Sequence, residues 1–337
     1  MVRSLKVFLA SAWAVLAAAV VAAPAWAADP VFLRIGTGGV AGTYFPIGSL
    51  IAETVSGPSD GKLCNAPERC GIAGLVAVPQ VSNGSVANVR AIGAGMLEAA
   101  LVQSDIAYWA YTGTGIFPGL DRIINLRFIA NLYPESVHLV VRADLGIASV
   151  ADLRGHRISL DEAGSGTLVN ARAILRGFGL DEGDIKAEYV KPDLAIERMR
   201  AGRLDGFFIM AGWPTKAVHD ILAQGGAHLV PIAGPAVEVI RRDSPFLMPG
   251  IIPAGTYPGV GERATLNVNA HLIVAAELDE ELVYKFVTAL WSERSARRLR
   301  EGHPRGAMIA RARALSGASI PLHPGAERYY REIGLMP

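Results

Sequence analysis

From residue 31 onward the chain alternates short apolar runs with amphipathic stretches, and this alternation restricts the fold more than any other feature. Runs at 31–35, 72–78, 99–103, 137–142, 157–160, 187–190, 206–210 and 228–232 read as strands. Segments of helical spacing begin near Pro46, Val86, Ile106, Val150, Leu168, Leu194 and Lys216. Strands separated by helices mean βαβ units, so the expectation is an α/β fold with mostly parallel sheets flanked by helices. Right-handed crossovers gather the loops that leave the strands on one edge of each sheet, where open α/β sheets bind ligands.

Those loops share a composition. Gly38 to Tyr44 follows the first strand, "SNGS" (Ser82 to Ser85) the second and "QSD" (Gln103 to Asp105) the third. "AGSGT" (Ala163 to Thr167) and "AGWPT" (Ala211 to Thr215) follow strands in the later half. All five are rich in Gly, Ser, Thr, Asn or Gln, and none carries Lys or Arg. A helix N-terminus offers unpaired N–H groups and roughly half a positive charge. Glycine admits a ligand close to that backbone, and hydroxyls add donors. Such loops read as a neutral cradle for a carboxylate, phosphate or sulfonate. Taken singly, each is also an ordinary N-cap or turn, and Trp213 stands out as a large aromatic in a glycine-proline loop.

The first loop, "IGTGGVAGTY", also fits the permissive form of the dinucleotide fingerprint through Gly36, Gly38 and Ala41. That fingerprint needs an acid about 20 residues on, at the end of a second strand. Glu53 is the only nearby acid, and it sits inside the first helix, so no nicotinamide cofactor is expected.

"MVRSLK" precedes an uncharged run, 7–23, which Pro24 ends, and Ala25-Trp26-Ala27 has the form signal peptidase accepts. Residues 1–27 are therefore expected to be a cleaved secretory signal, the alternative being an uncleaved anchor. Losing Arg3 and Lys6 takes the net charge from +1 to −1, which predicts no nucleic-acid partner. In an exported chain the only two cysteines, Cys64 and Cys70, most simply form one disulfide; a metal pair or a reactive thiol lacks a supporting histidine.

A secreted hydrolase would need a nucleophile elbow, paired catalytic carboxylates or clustered histidines. Ser165 lies between glycines one residue short of the elbow pattern. His138, His156, His219, His228, His271, His303 and His323 show no metal-ligand spacing. No enzyme, metal or cofactor is expected.

In order and spacing, "IGTGGVAGTYFPIGSLIA", "SNGSVANVRAIGAG", "EAALVQSDIAYWAYTG", "NLYPESVHLVVRADLGI", "ADLRGHRISLDEAGSGT" and "AGWPTKAV" resemble the TAXI family. Its members are solute-binding proteins of tripartite ATP-independent periplasmic (TRAP) transporters. "IPAGTYPG" and "PLHPGAERYYREIG" extend the resemblance over nearly the whole mature chain. It implies a two-lobed periplasmic binding protein of type II-like form, joined by hinge strands and acting as a monomer. Such a protein takes a small carboxylate such as glutamate, glutamine or 2-oxoglutarate and docks on the permease subunits, the alternative being a binding protein of the same fold that serves a sensor or an ATP-driven importer. Carried over by position, it implies ligand contacts at Gly39, Thr43, Tyr44, Ser82, Asn83, Ser85, Gln103, Ser104, Ser165, Gly166, Thr167, Trp213 and Pro214. Trp213 departs from the tyrosine common at its position, which removes an acceptor and adds bulk.

Within that frame, 28–133 with 268–337 is expected as lobe I and 134–267 as lobe II. Asp105 reads as a cap for the helix near Ile106 or as a partner for a ligand ammonium. Tyr133 lines the cleft or packs in the hinge, and the basic stretch 293–313 reads as a solvated face or a docking surface.

Overall fold

A computed structural model of the chain describes residues 30–57, 66–119 and 122–337. The expected signal segment, 1–27, and Cys64 lie outside the described residues; Cys70 is disulfide-bonded. The strands are β1 (Val31–Gly36), β2 (Leu75–Gln80), β3 (Ala99–Gln103), β4 (Leu126–Arg142), β5 (Arg157–Ser159), β6 (Lys186–Glu188), β7 (Gly206–Ala211), β8 (Ala227–Val230), β9 (Met248–Ile252) and β10 (Arg263–Ala275). The helices are α1 (Tyr44–Val55), α2 (Pro67–Cys70), α3 (Ser85–Gly93), α4 (Ser104–Thr112), α5 (Gly166–Gly177) and α6 (Pro192–Arg200). They continue with α7 (Lys216–Ala223), α8 (Ala236–Asp243), α9 (Glu280–Leu290), α10 (Glu293–Gly302) and α11 (Pro324–Glu332).

The sheet runs β2-β1-β3-β10-β4-β7-β5-β6, with β8 added to β4 and β9 to β10. Its outer pairs are parallel, as βαβ crossovers require. Its centre is antiparallel, because β4 and β10 run past each other from Leu126 against Ala275 to Ser136 against Asn267. Beyond Ser136, β4 leaves β10 and pairs with β7 and β8 instead. These two long strands thus carry the chain from one lobe to the other and back, and the expected boundaries at 133/134 and 267/268 fall inside them.

Each lobe has apolar cores on both faces of its part of the sheet. In the first, Ile47 and Ile51 of α1 pack with Ile35, Leu101, Phe286 and Tyr330. They are fully buried one turn apart, and each contributes about 1.5–3 kcal/mol. The opposite face holds Val89, Val102, Ile106 and Phe128. In the second lobe Leu139, Ile158 and Phe208 pack against Ile174 of α5, while Val140, Phe207 and Ile209 pack against Val218 of α7. Helices α9 to α11 join the first of these cores, so the C-terminal segment belongs with the chain's beginning.

The strand-to-helix junctions of both lobes face one another. Thr43 Oγ1 donates to the Gly212 carbonyl at 2.7 Å, and Thr215 Oγ1 to the Ala41 carbonyl at 3.0 Å. Asn83 Nδ2 donates to the Ala163 carbonyl at 3.0 Å, the Ala87 N–H to the Gly164 carbonyl at 2.9 Å, and Asn170 Nδ2 to Gln103 Oε1 at 2.8 Å. The lobes are closed on each other.

Candidate functional site

Between the closed lobes lies a cavity of about 80 Å³, against the roughly 10–15 Å³ that a single water needs. The start of α1, α3, α5 and α6 and the residue before α4 all contribute to its wall. Ile209 and Met210, at the end of β7, give it an apolar floor.

From lobe I come Gly38 to Tyr44, Asn83 to Ser85 and Gln103, and Glu135 stands on the crossing strand β4 just past the expected lobe boundary. Thr43 occupies the N-cap of α1, yet its hydroxyl caps nothing and reaches across to Gly212 instead. Ser85 Oγ accepts the Gln103 N–H at 3.0 Å, which ties α3 to the end of β3. The Tyr44 hydroxyl donates to Glu135 Oε2 at 2.8 Å. Burial pushes the Glu135 carboxyl up to about 8, although the Tyr44 bond favours the ionised form. The same burial, with the adjacent carboxylate, raises the Tyr44 phenol well above its ordinary value.

Lobe II supplies Asp161, Glu162, Ser165, Gly166, Thr167, Lys191, Pro192 and Asp193. Ser165 is a working N-cap, accepting the Leu168 N–H at 3.0 Å. Thr167 Oγ1 accepts the Met210 N–H at 3.1 Å and so joins α5 to β7. Gly166 allows the closest approach: a Cβ there would stand 2.2 Å from Gln103 Oε1. Asp161 has φ +74°, a left-handed conformation that Asp tolerates better than most residues. Burial lifts its carboxyl to about 7, and its Oδ1 accepts the Glu162 N–H at 2.8 Å. Glu162 pairs with Lys191 at 3.3 Å.

Of the residues singled out in the sequence, Gly39, Thr43, Tyr44, Asn83, Ser85, Gln103, Ser165, Gly166 and Thr167 are brought together on this wall. Ser82, Ser104, Trp213 and Pro214 are not part of it. Ser82 Oγ donates to the Thr37 carbonyl and accepts the Gly84 N–H, holding its own turn. Ser104 opens α4 and is buried. Trp213 lies beneath the guanidinium of Arg305, 3.6 Å from ring centroid to Cζ. Asp105 is neither cap nor wall. Gln103 holds the N-cap position, and Asp105 is buried in the first turn with Oδ1 on the Ile106 N–H. Tyr133 is buried in β4, outside the wall.

The cradle is not uncharged, contrary to the expectation from the five loops. Glu135, Asp161, Glu162, Lys191 and Asp193 all reach it. Asp161 and Glu162 directly precede the glycine loop that begins at Ala163, so reading two residues further back would have found them. Glu135 carried one signal, a lone acid in the apolar run after "NLYP". Among the described residues there is no cluster of three His, Cys, Asp or Glu with metal-site geometry, and no helix long and apolar enough to cross a membrane.

A model of the NMT1-like family matches residues 35–334, and the chain belongs to that family. Among solved structures it is similar to PhnD1 from Prochlorococcus marinus in complex with methylphosphonate, with TM-score 0.52, 12% identity, and 91% of this chain and 100% of that one covered. It is also similar to the binding-protein component of an ABC phosphonate transporter from Pseudomonas aeruginosa, with TM-score 0.51, 9% identity and coverage of 81% and 79%. The periplasmic aliphatic sulphonate-binding protein SsuA from Escherichia coli aligns over 92% and 80% at 17% identity, with TM-score 0.44. The first two show that the fold is that of the two-lobed periplasmic binding proteins.

Proposed function

We propose that this member of the NMT1-like family is an exported receptor whose lobes close on a small carboxylate and present it to a membrane permease. The observation that carries the reading is the clamp itself: polar loops of both lobes, hydrogen-bonded across the cleft, enclose a cavity at which several helices begin. Backbone N–H groups at those helix starts suit a carboxylate, and Ser85, Ser165 and Thr167 add hydroxyls. Glu135 and Asp161 favour a carboxylate that also carries an ammonium, because a cation draws the proton off each buried acid and pairs with the carboxylate, a gain that a dicarboxylate does not offer. An amino acid therefore suits the wall better than 2-oxoglutarate.

The loop sequences, read in order, support a TRAP permease driven by an ion gradient as the partner. PhnD1 and the ABC phosphonate-transporter component share the fold at 12% and 9% identity, too low to carry methylphosphonate or an ABC transporter to this chain. A gene for a large multi-span permease beside this one supports the TRAP reading, and a gene for an ATPase sinks it.

Thermal unfolding of the chain without residues 1–27 tests the solute. At least one of glutamate, glutamine, 2-oxoglutarate and C4 dicarboxylates should raise the melting temperature by several degrees, with an amino acid giving the larger rise, since a ligand selective for the folded state stabilises it. A flat response across the panel removes the carboxylate reading.

A further inference from the structure

Arg305 is the most anomalous side chain in the molecule. It is 1% exposed, the largest of the fully buried side chains, yet it forms no ion pair among the described residues. It follows α10 in the stretch "HPRGAM" and reaches between the lobes, where its guanidinium lies face-on over Trp213. One end of the group, Nη1, donates to the thioether sulfur of Met308, a weak acceptor. Nε and Nη2 have no acceptor at all. Those two nitrogens form one edge of the guanidinium, from which two N–H bonds point in parallel, the fork that matches an oxyanion bidentately.

A third donor stands alongside. The Tyr133 hydroxyl is buried without a partner, and Tyr133 and Arg305 each perturb the other's titration. A Cβ on Gly212 would lie 2.7 Å from Arg305 Cγ and 3.0 Å from Tyr133 Cε2, so both side chains flank the same backbone atom. Glu135 lies near enough to act on Arg305 electrostatically, but no neighbouring acceptor hydrogen-bonds to Nε or Nη2. The Tyr257 hydroxyl lies 2.9 Å from His138 Nε2 and accepts the Thr215 N–H, while Glu135 Oε2 takes the Tyr44 hydroxyl. Leaving a buried cation uncompensated is costly, and a second buried donor beside it adds to the cost.

We infer that the free edge of Arg305, with the Tyr133 hydroxyl, is an anion subsite between the lobes that takes a carboxylate or a small inorganic oxyanion. Two sources share that chemistry: a free anion, or the carboxylate of a solute that extends past the cavity wall to this edge. Trp213 and Met308 hold the fork in place from its face and its far end. Because Trp213 and Gly212 belong to lobe II while Arg305 packs with lobe I, an anion there strengthens the closed state. The free-anion source stands whether or not the solute reading above is right.

The test uses the chain without residues 1–27. Its melting is followed in sodium formate, nitrate and gluconate at one ionic strength, gluconate being too large for the edge. Binding of whichever panel solute raises the melting temperature is measured in parallel. Formate and nitrate raising the melting temperature over gluconate in the parent protein, but not in Arg305→Met or Arg305→Lys, establish a free-anion site. Loss of solute affinity of at least about tenfold in both variants, with no anion effect, assigns the edge to the solute carboxylate. Absence of both results overturns the inference. Should both variants fail to fold, crystals of the parent protein grown in bromide decide: an anomalous peak on the Nε/Nη2 edge supports it, and a water or the Glu135 carboxylate there overturns it.

Discussion

The two walls of the cavity occupy equivalent places in their lobes and are built from different chemistry. Lobe I offers hydroxyls and amides that are mostly committed before closure, Ser85 to Gln103 and Tyr44 to Glu135 on the crossing strand β4, while Thr43 reaches Gly212 only on closure. Lobe II offers charge, with Asp161 buried at the root of its loop and the Glu162–Lys191 pair half-exposed at the rim. The first wall is preorganised, whereas the second gains its electrostatic strength only when closure removes water from around it. On the reading proposed above, such a receptor would hold its ligand on one lobe and select it with the other.

The strongest challenge to that division is to stop the walls from meeting. Gly166 has ordinary backbone angles, so a side chain there folds within lobe II but drives into Gln103 of lobe I. Gly166→Val should leave the melting temperature of the unliganded protein within a few degrees of the parent. It should lower solute affinity on the order of 100-fold, about 2.7 kcal/mol. Small-angle scattering should show no contraction on adding ligand. Retained affinity and contraction would mean that the two walls do not act together.

Next in size is the buried charge on the crossing strand. Glu135→Gln keeps an acceptor for Tyr44 and removes the anion that a ligand ammonium would meet. It should cost an amino-acid ligand roughly 10–100-fold, the range of a charge-assisted hydrogen bond, and cost a keto acid little. The unliganded protein should respond in the opposite sense. The folded-state pKa of Glu135 is raised to about 8, so the native state binds this proton more tightly than the unfolded chain does. The stability of the parent protein therefore falls as pH rises from the ordinary carboxyl range through 8, and Asp161, at about 7, adds to the slope. Glu135→Gln should raise the melting temperature near pH 9 and leave it unchanged near pH 4. An equal effect at both pH values would place Glu135 outside this account.

Legibility in the sequence follows the same contrast. The outer strands and most of the longer helices were readable because their apolar residues keep a clean period, as Tyr44, Ile47, Ile51 and Val55 do along α1; the helix expected from Val150 is instead a short 3₁₀ turn, Val150–Leu153. The crossing strands were read only in part. The first half of β4, "LRFIANLYPES", is broken by Arg127, Asn131, Pro134 and Glu135, polar or strand-averse residues that mask a strand lying in the middle of the sheet. β9 has no apolar alternation to show, since most of its residues are exposed on an edge. The loops of lobe I were legible as a cradle because Gly, Ser and Thr before a helix announce it. Arg305 was not, since nothing local separates it from the other arginines of 293–313, and only the tertiary fold buries it.

The smallest expected effect separates bonds that join the walls from bonds that merely shape one of them. Thr43 Oγ1 donates across the cleft, while Ser82 Oγ donates within lobe I to the Thr37 carbonyl at 2.8 Å. Both are single neutral hydrogen bonds, each contributing about 0.5–1.5 kcal/mol. Thr43→Val removes its bond only from the closed form, because the open form has no Gly212 carbonyl in reach. Affinity should drop roughly 2–10-fold, with little change in unliganded melting. Ser82→Ala removes its bond from open and closed forms alike, so the unliganded melting temperature should fall slightly while affinity holds. Calorimetric titration of the two variants with one solute, beside their melting curves, reads both quantities. If Thr43→Val and Ser82→Ala shift affinity equally, the cross-cleft bonds contribute nothing specific to closure, and selection by the second wall loses its mechanical basis.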